Sequence, residues 1–118
     1  MLMELTVETG KDDLRSGSWF DLLVYRRGQD PFEIERVMGT KGLKPNTTKS
    51  VEIDVPVDRV SDITQFQLQH VSQEGWGQTG DNWDMKKVRL RVLNPTLIAE
   101  AGPKRFSGNK PYLNFPNP

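Results

Sequence analysis

Cysteine is absent from the 118 residues, and histidine occurs once, at His70. The first absence excludes a disulfide, a thiolate metal site and a Cys nucleophile. With one imidazole, and with Ser and Asp residues in no catalytic spacing, a hydrolytic triad has no support. A charge excess is lacking too, because 16 Lys and Arg balance 16 Asp and Glu and leave a formal net charge of zero. Net charge therefore favours attraction neither to nucleic acid nor to an anionic membrane, although a local patch can serve either. No run approaches the roughly 18 apolar residues of a membrane span. The start, MLMELTVETG, has no basic region followed by an apolar run and does not read as a signal peptide. The chain is expected either to stay inside the cell or to be a module of a longer chain, secreted or not. Helical periodicity is missing as well, since no 11-residue window holds apolar residues at i, i+3, i+4 and i+7 without interruption.

What is present is alternation. Met3, Leu5 and Val7 alternate with Glu4, Thr6 and Glu8, giving a first strand with one buried face. The segment 19–25 carries apolar residues on both faces and predicts a central strand covered on both sides. A weaker strand is expected near 33–38, followed by a Gly- and Pro-bearing loop to Thr48. Val51, Ile53 and Val55 alternate with Glu52 and Asp54; Phe66, Leu68 and His70 alternate with Gln65, Gln67 and Gln69. Val88, Leu90 and Val92 point inward from a strand whose outer row is Lys87, Arg89 and Arg91. A brief edge strand at 97–99 and a Pro/Asn-rich tail at 102–118 complete the chain, with the tail aromatics expected to pack partly on the body. The length suits one domain over 1–118, and 35% apolar content is enough for a sandwich whose strands each face water on one side. The expected fold is an all-β, antiparallel sandwich of about eight strands with no substantial helix.

Three stretches carry a resemblance. ELTVETGKDDLRSGSWFDLLVY resembles the first strand, Thr-Gly loop and second strand of the PLAT/LH2 family, the β-sandwich modules of lipoxygenases, lipases, polycystins and a clostridial phospholipase toxin. DITQFQLQH is similar to a family strand that leads into a His. DNWDMKKVRLRV is similar to the family's Trp-x-Leu-x-x-Val-x-Val strand, with Met85 in place of Leu. The three occur in the family's order over residues 4–93, and Arg105-Phe106-Ser107-Gly108 resembles an ending of bacterial PLAT-like modules. The resemblance implies a non-catalytic docking module for membrane, lipid or a protein partner, in which loops at one end hold calcium.

On that pattern the calcium ligands are Asp12 and Asp13 in the first loop, and Asp81, Asn82 and Asp84 around Trp83 in the other. Calcium takes about six to eight oxygen ligands from loops that curl around it. One departure removes a ligand: Trp19 follows Gly17-Ser18 where the family often carries Asp. Asp and Asn are also ordinary turn formers, which gives these residues a second reading. Trp76, between glycines, is either an aromatic for a membrane interface or a sugar ring, or a lid folded back on the sandwich end. The binding residues expected are therefore Trp76, Asp12, Asp13 and Asp81.

Trp83 and Trp19 are expected in the core, as is His70, in a hydrogen-bonded place. The basic row is expected to pair with acidic neighbours such as Glu52 and Asp54. A carbohydrate-binding sandwich and a structural or assembly domain are the alternatives. Nucleic acid is not an expected partner, because no helix is available to enter a groove, and the sequence leaves the oligomeric state open.

Overall fold

The computed structural model describes residues 1–71, 82–94, 96–107 and 112–116. Trp76 and Asp81, both expected at the binding end, lie outside the described residues. Among those described there are nine strands: β1 (Leu2–Thr9), β2 (Trp19–Arg26), β3 (Phe32–Ile34), β4 (Thr48–Asp54), β5 (Ile63–Val71), β6 (Asn82–Val92), β7 (Thr96–Ala101), β8 (Lys104–Ser107) and β9 (Tyr112–Pro116). One short 3₁₀ turn, Val60–Asp62, leads into β5. No helix among the described residues is long and apolar enough to cross a membrane.

The strands form two antiparallel sheets packed face to face, a β-sandwich. One sheet runs β4-β1-β6-β7, with β8 also paired to β6; the other runs β3-β2-β5-β9. Alternation places the core between them. From the first sheet come Met3, Leu5, Val7, Ile53, Trp83, Met85, Val88 and Leu90, all buried. Phe20, Leu22, Val24, Phe66, Leu68 and Phe115 meet them from the second. A face buried at every second residue fixes the register, because a slip by one would turn the apolar set to water.

The tail is more integral than its composition suggests. β7 and β8 pair with successive halves of the same edge of β6, Val88 opposite Ala101 and Met85 opposite Lys104. Gly102 interrupts them at a φ of 123°, where a Cβ would come within 2.6 Å of the Lys86 carbonyl oxygen. β9 closes the second sheet against β5, and Phe106 and Phe115 are fully buried.

The expectations at 19–25 and 33–38 need correction. β2 is central in its sheet, yet only Phe20, Leu22 and Val24 face the other sheet. Trp19 is only partly buried on the outer face, beneath the Arg36 guanidinium at 4.6 Å from its ring. Buried Asp21 accepts the Arg36 backbone N–H at 2.8 Å. The weak strand ends at Ile34, because Arg36 adopts a φ of 51°, outside extended geometry. Val37 and Met38 then tuck into the core as a turn, with the Val37 N–H donating to the Phe20 carbonyl at 3.1 Å.

Candidate functional site

The ends of four core strands gather the candidate residues. The segment 10–18 leaves β1 at Thr9 and enters β2 at Trp19; Thr9 is opposite Met85 on β6, and Trp19 is opposite Val71 on β5. The strand ends that bracket the two expected loops therefore lie at one end of the sandwich. The loop before β4 joins them: the Asn46 N–H donates to the Gly10 carbonyl at 2.9 Å, and Thr9 donates to Thr47 at 2.8 Å. Leu14 and Leu43, each the lone large apolar residue of a polar stretch, are buried and bonded to one another through both backbone amides, at 2.8 and 3.0 Å. That bridge fixes the 10–18 loop to the 39–47 loop.

Asp12 and Asp84 come together at this end. The β1–β6 pairing continues past Thr9, with the Gly10 N–H donating to the Asp84 carbonyl at 2.8 Å and the Asp84 N–H to the Asp12 carbonyl at 3.2 Å. On the other side of β6, Arg105 of β8 is the cross-strand partner of Asp84. Its Nη1 lies 2.6 Å from Asp12 Oδ2 and 2.6 Å from Asp84 Oδ1. Hydrogen bonds to Asp12 first and Asp84 second raise the proton affinity of the guanidinium above its ordinary value. A raised basic pKa gives stability present below the unfolded value and lost only above it, so this contribution is constant through neutral pH.

Asp13 and Asn82, also expected as ligands, lie outside this pair of carboxylates. Asp13 lies in a neighbouring depression with Leu14, Ser16, Lys41, Gly42, Leu43 and Lys44. Asn82 is exposed and paired with Ser107. Among the described residues no three acidic or His side chains are placed to hold one metal ion. Calcium wants about six to eight oxygens. The described residues offer two carboxylates whose gap already holds the Arg105 guanidinium, so with Arg105 in place this donor set does not fit calcium.

The same end is rich in lysine. A shallow depression of about 380 Å³ is lined by Gly10, Lys11, Asp84, Met85, Lys86, Pro103, Lys104 and Arg105. Lys41 and Lys44 line the adjoining one. Against these six cations stand three carboxylates among the described residues, Asp12, Asp13 and Asp84, two of them bound to Arg105. The sequence did not single out these lysines, because they are scattered over the chain and converge only in three dimensions.

The remaining expected residues are structural. Trp83 is fully buried, stacked on Phe20 and Phe106 at 5.1 and 5.3 Å, and its indole N–H donates to the Thr9 hydroxyl at 3.2 Å. His70 is fully buried, tilted against Trp83 and Phe106 at 6.2 and 5.7 Å. The basic row pairs differently from the expectation. Glu52 and Asp54 are on β4, two strands from β6, whereas Arg89 meets Glu8 at 2.6 Å and Glu100 at 3.5 Å, and Lys87 meets Glu100 at 3.6 Å.

No family model and no curated protein matches the sequence. Solved structures match the fold. A deletion variant of a lipoxygenase, in its anaerobic complex with arachidonate, superposes with a TM-score of 0.66 at 9% identity, over 99% of this chain and 16% of that chain. A second structure of the same deletion variant gives 0.64 at the same identity and coverage. Alpha-toxin of Clostridium perfringens gives 0.68 at 10% identity, over 95% of this chain and 30% of that chain. Both proteins bear a PLAT/LH2 domain, so the fold implied by the three sequence motifs is the fold this chain adopts. The chain spans less than a third of the length of either.

Proposed function

We propose that this chain is a non-catalytic docking module that attaches to an anionic lipid surface through its lysine-rich loop end. The observation that carries the reading is the depression lined by Lys11, Lys86, Lys104 and Arg105. No carboxylate among the described residues pairs with the three lysines within ion-pair distance, so their charge is available to lipid phosphates. Net charge of zero does not oppose this, because attraction to a surface acts within about a Debye length, roughly 8 Å at physiological salt. The likeness to part of a lipoxygenase and of alpha-toxin supports the same reading. The sealed position of the single imidazole, and the absence of any Cys, speak against an enzyme.

The test is cosedimentation, in EDTA, with phosphatidylcholine vesicles and with vesicles that also contain phosphatidylserine. The wild-type chain is expected to bind only the second. Each basic residue near an anionic surface contributes about 1 kcal/mol, so the K86Q/K104Q variant should bind on the order of 30-fold more weakly. Equal binding to both vesicles, or none to either, sinks the reading and leaves a protein partner as the next candidate.

A second reading has one observation in its favour. The outer face of β5 and β9 is uncharged and amide-rich, with Gln65, Gln67 and Gln69 beside Asn114 and exposed Tyr112. Amides beside an aromatic ring are the chemistry that holds sugar hydroxyls and stacks on their rings. Oligosaccharide binding that Tyr112→Ala abolishes would favour a carbohydrate module.

A further inference from the structure

We infer that the guanidinium of Arg105 is a built-in replacement for a divalent cation at the loop end, so that the loops are tied together without metal. The geometry is that of a cation between two ligands. One nitrogen, Nη1, contacts both Asp12 Oδ2 and Asp84 Oδ1 at 2.6 Å, so the two oxygens are no more than twice that distance apart. Calcium–oxygen bonds are about 2.3–2.6 Å, and two oxygens so spaced could share such an ion. The nitrogen stands where that ion would stand.

The placement is set by the backbone. Arg105 is in register with Asp84 across β6 and β8, and Asp84 is held against the 10–12 segment by two main-chain hydrogen bonds. Three chain segments far apart in sequence are thereby joined around one positive charge. A metal ion does the same for loops by collecting their carboxylates. Arginine does it with a charge that is permanent at physiological pH and with donors fixed in a planar fork.

Charge explains why one of the two is needed. Two carboxylates sharing a cation-sized gap repel one another unless a positive charge lies between them. Arg105 supplies a single charge, covalently attached, at no cost in bound-ion concentration. A calcium ion entering the same gap would have to displace a guanidinium bonded on both sides. The lysines of the adjoining depression add to the barrier by like-charge repulsion.

This inference does not rest on the lipid reading, because it concerns only the chain's own carboxylates. It is tested on the full chain by thermal unfolding in EDTA, in millimolar calcium and in millimolar magnesium, for wild type and for Arg105→Gln. The wild-type midpoint should be the same in all three. Arg105→Gln should unfold at a lower temperature in EDTA and recover several degrees in calcium alone, because the freed carboxylates then bind the ion and binding to the folded state stabilises it. A calcium-specific rise in the wild type overturns the inference, as does an Arg105→Gln variant whose midpoint ignores calcium. Should that variant fail to fold, terbium titration of the wild type decides. Tryptophan-sensitised emission overturns the inference; its absence at millimolar terbium supports it. No lipid is present in either measurement, so failure of vesicle docking leaves the result unaffected.

Discussion

The indole of Trp83 lies on the ring of Phe20 at 5.1 Å and only 11° from parallel, although the two residues belong to opposite sheets. Phe106 continues the stack on the other flank at 5.3 Å, and His70 leans on both Trp83 and Phe106. This column of rings joins the sheets directly beneath the loop end. Asp84, which meets Arg105, is the next residue after Trp83. The stack therefore anchors the strand that carries the charged cluster.

Trp83→Ala is expected to destabilise the fold by about 3–5 kcal/mol, the usual cost of removing a buried aromatic from a packed core. Trp83→Phe keeps a ring in the column but loses the indole N–H, leaving the buried Thr9 hydroxyl without that donor at 3.2 Å. An unmade buried hydrogen bond costs about 1–3 kcal/mol, so this variant should fall between the wild type and the alanine. Urea unfolding measures both. Equal loss in the two variants would mean that the hydrogen bond, not the stack, dominates.

Glycine 42 and glycine 28 separate two causes of strain. Both have positive φ, 79° and 69° respectively. At Gly28 an added Cβ meets nothing within 4 Å, so Gly28→Ala carries only the left-handed backbone penalty of about 1–2 kcal/mol. At Gly42 the same Cβ would lie 2.3 Å from the Leu14 carbonyl oxygen and 2.9 Å from the Ser16 nitrogen. The Leu14–Leu43 bridge must then open. Two backbone hydrogen bonds at about 1 kcal/mol each join the φ penalty, for a total of about 3–4 kcal/mol. Urea midpoints for the two variants should differ accordingly, and similar midpoints would show that the loop yields freely.

The sandwich was legible because period two is written into β1, β5 and β6. Met3, Leu5 and Val7, or Phe66, Leu68 and His70, leave no alternative register once one face is dry. The loop end was legible only as a location. Asp12 and Asp84 were readable as carboxylates near strand ends, but their partner Arg105 comes from a segment 21 residues beyond Asp84. Such a pairing depends on how β8 docks, and β8 is hidden in sequence by Gly102 and Pro103. Leu14 and Leu43 escaped for a related reason: a single apolar residue in a polar loop has no periodicity to announce it. Trp19, expected in the core from its place at a strand start, lies on the outer face with Arg36, because parity along β2 turns it away from the face that buries Phe20.

The basic row on β6 and the lysines beside it are expected to behave oppositely. Arg89 is engaged inside the chain, by Glu8 at 2.6 Å and Glu100 at 3.5 Å, with all three side chains partly exposed. Pairs of this kind are worth about 0.2–1 kcal/mol and are screened by salt. Arg89→Ala should therefore lower stability by no more than about 2 kcal/mol at low ionic strength, the sum of two such pairs, with the difference vanishing near molar salt. Its binding to phosphatidylserine vesicles should match the wild type, because the guanidinium it removes is already spoken for by carboxylates. K86Q/K104Q should show the converse: an unchanged urea midpoint and weakened vesicle binding. A variant pair measured by both assays thus separates charge that holds the sheet from charge that meets the membrane. If Arg89→Ala weakens vesicle binding as much as the lysine pair does, the docking surface extends down the outer face of β6 and is not confined to the loop end.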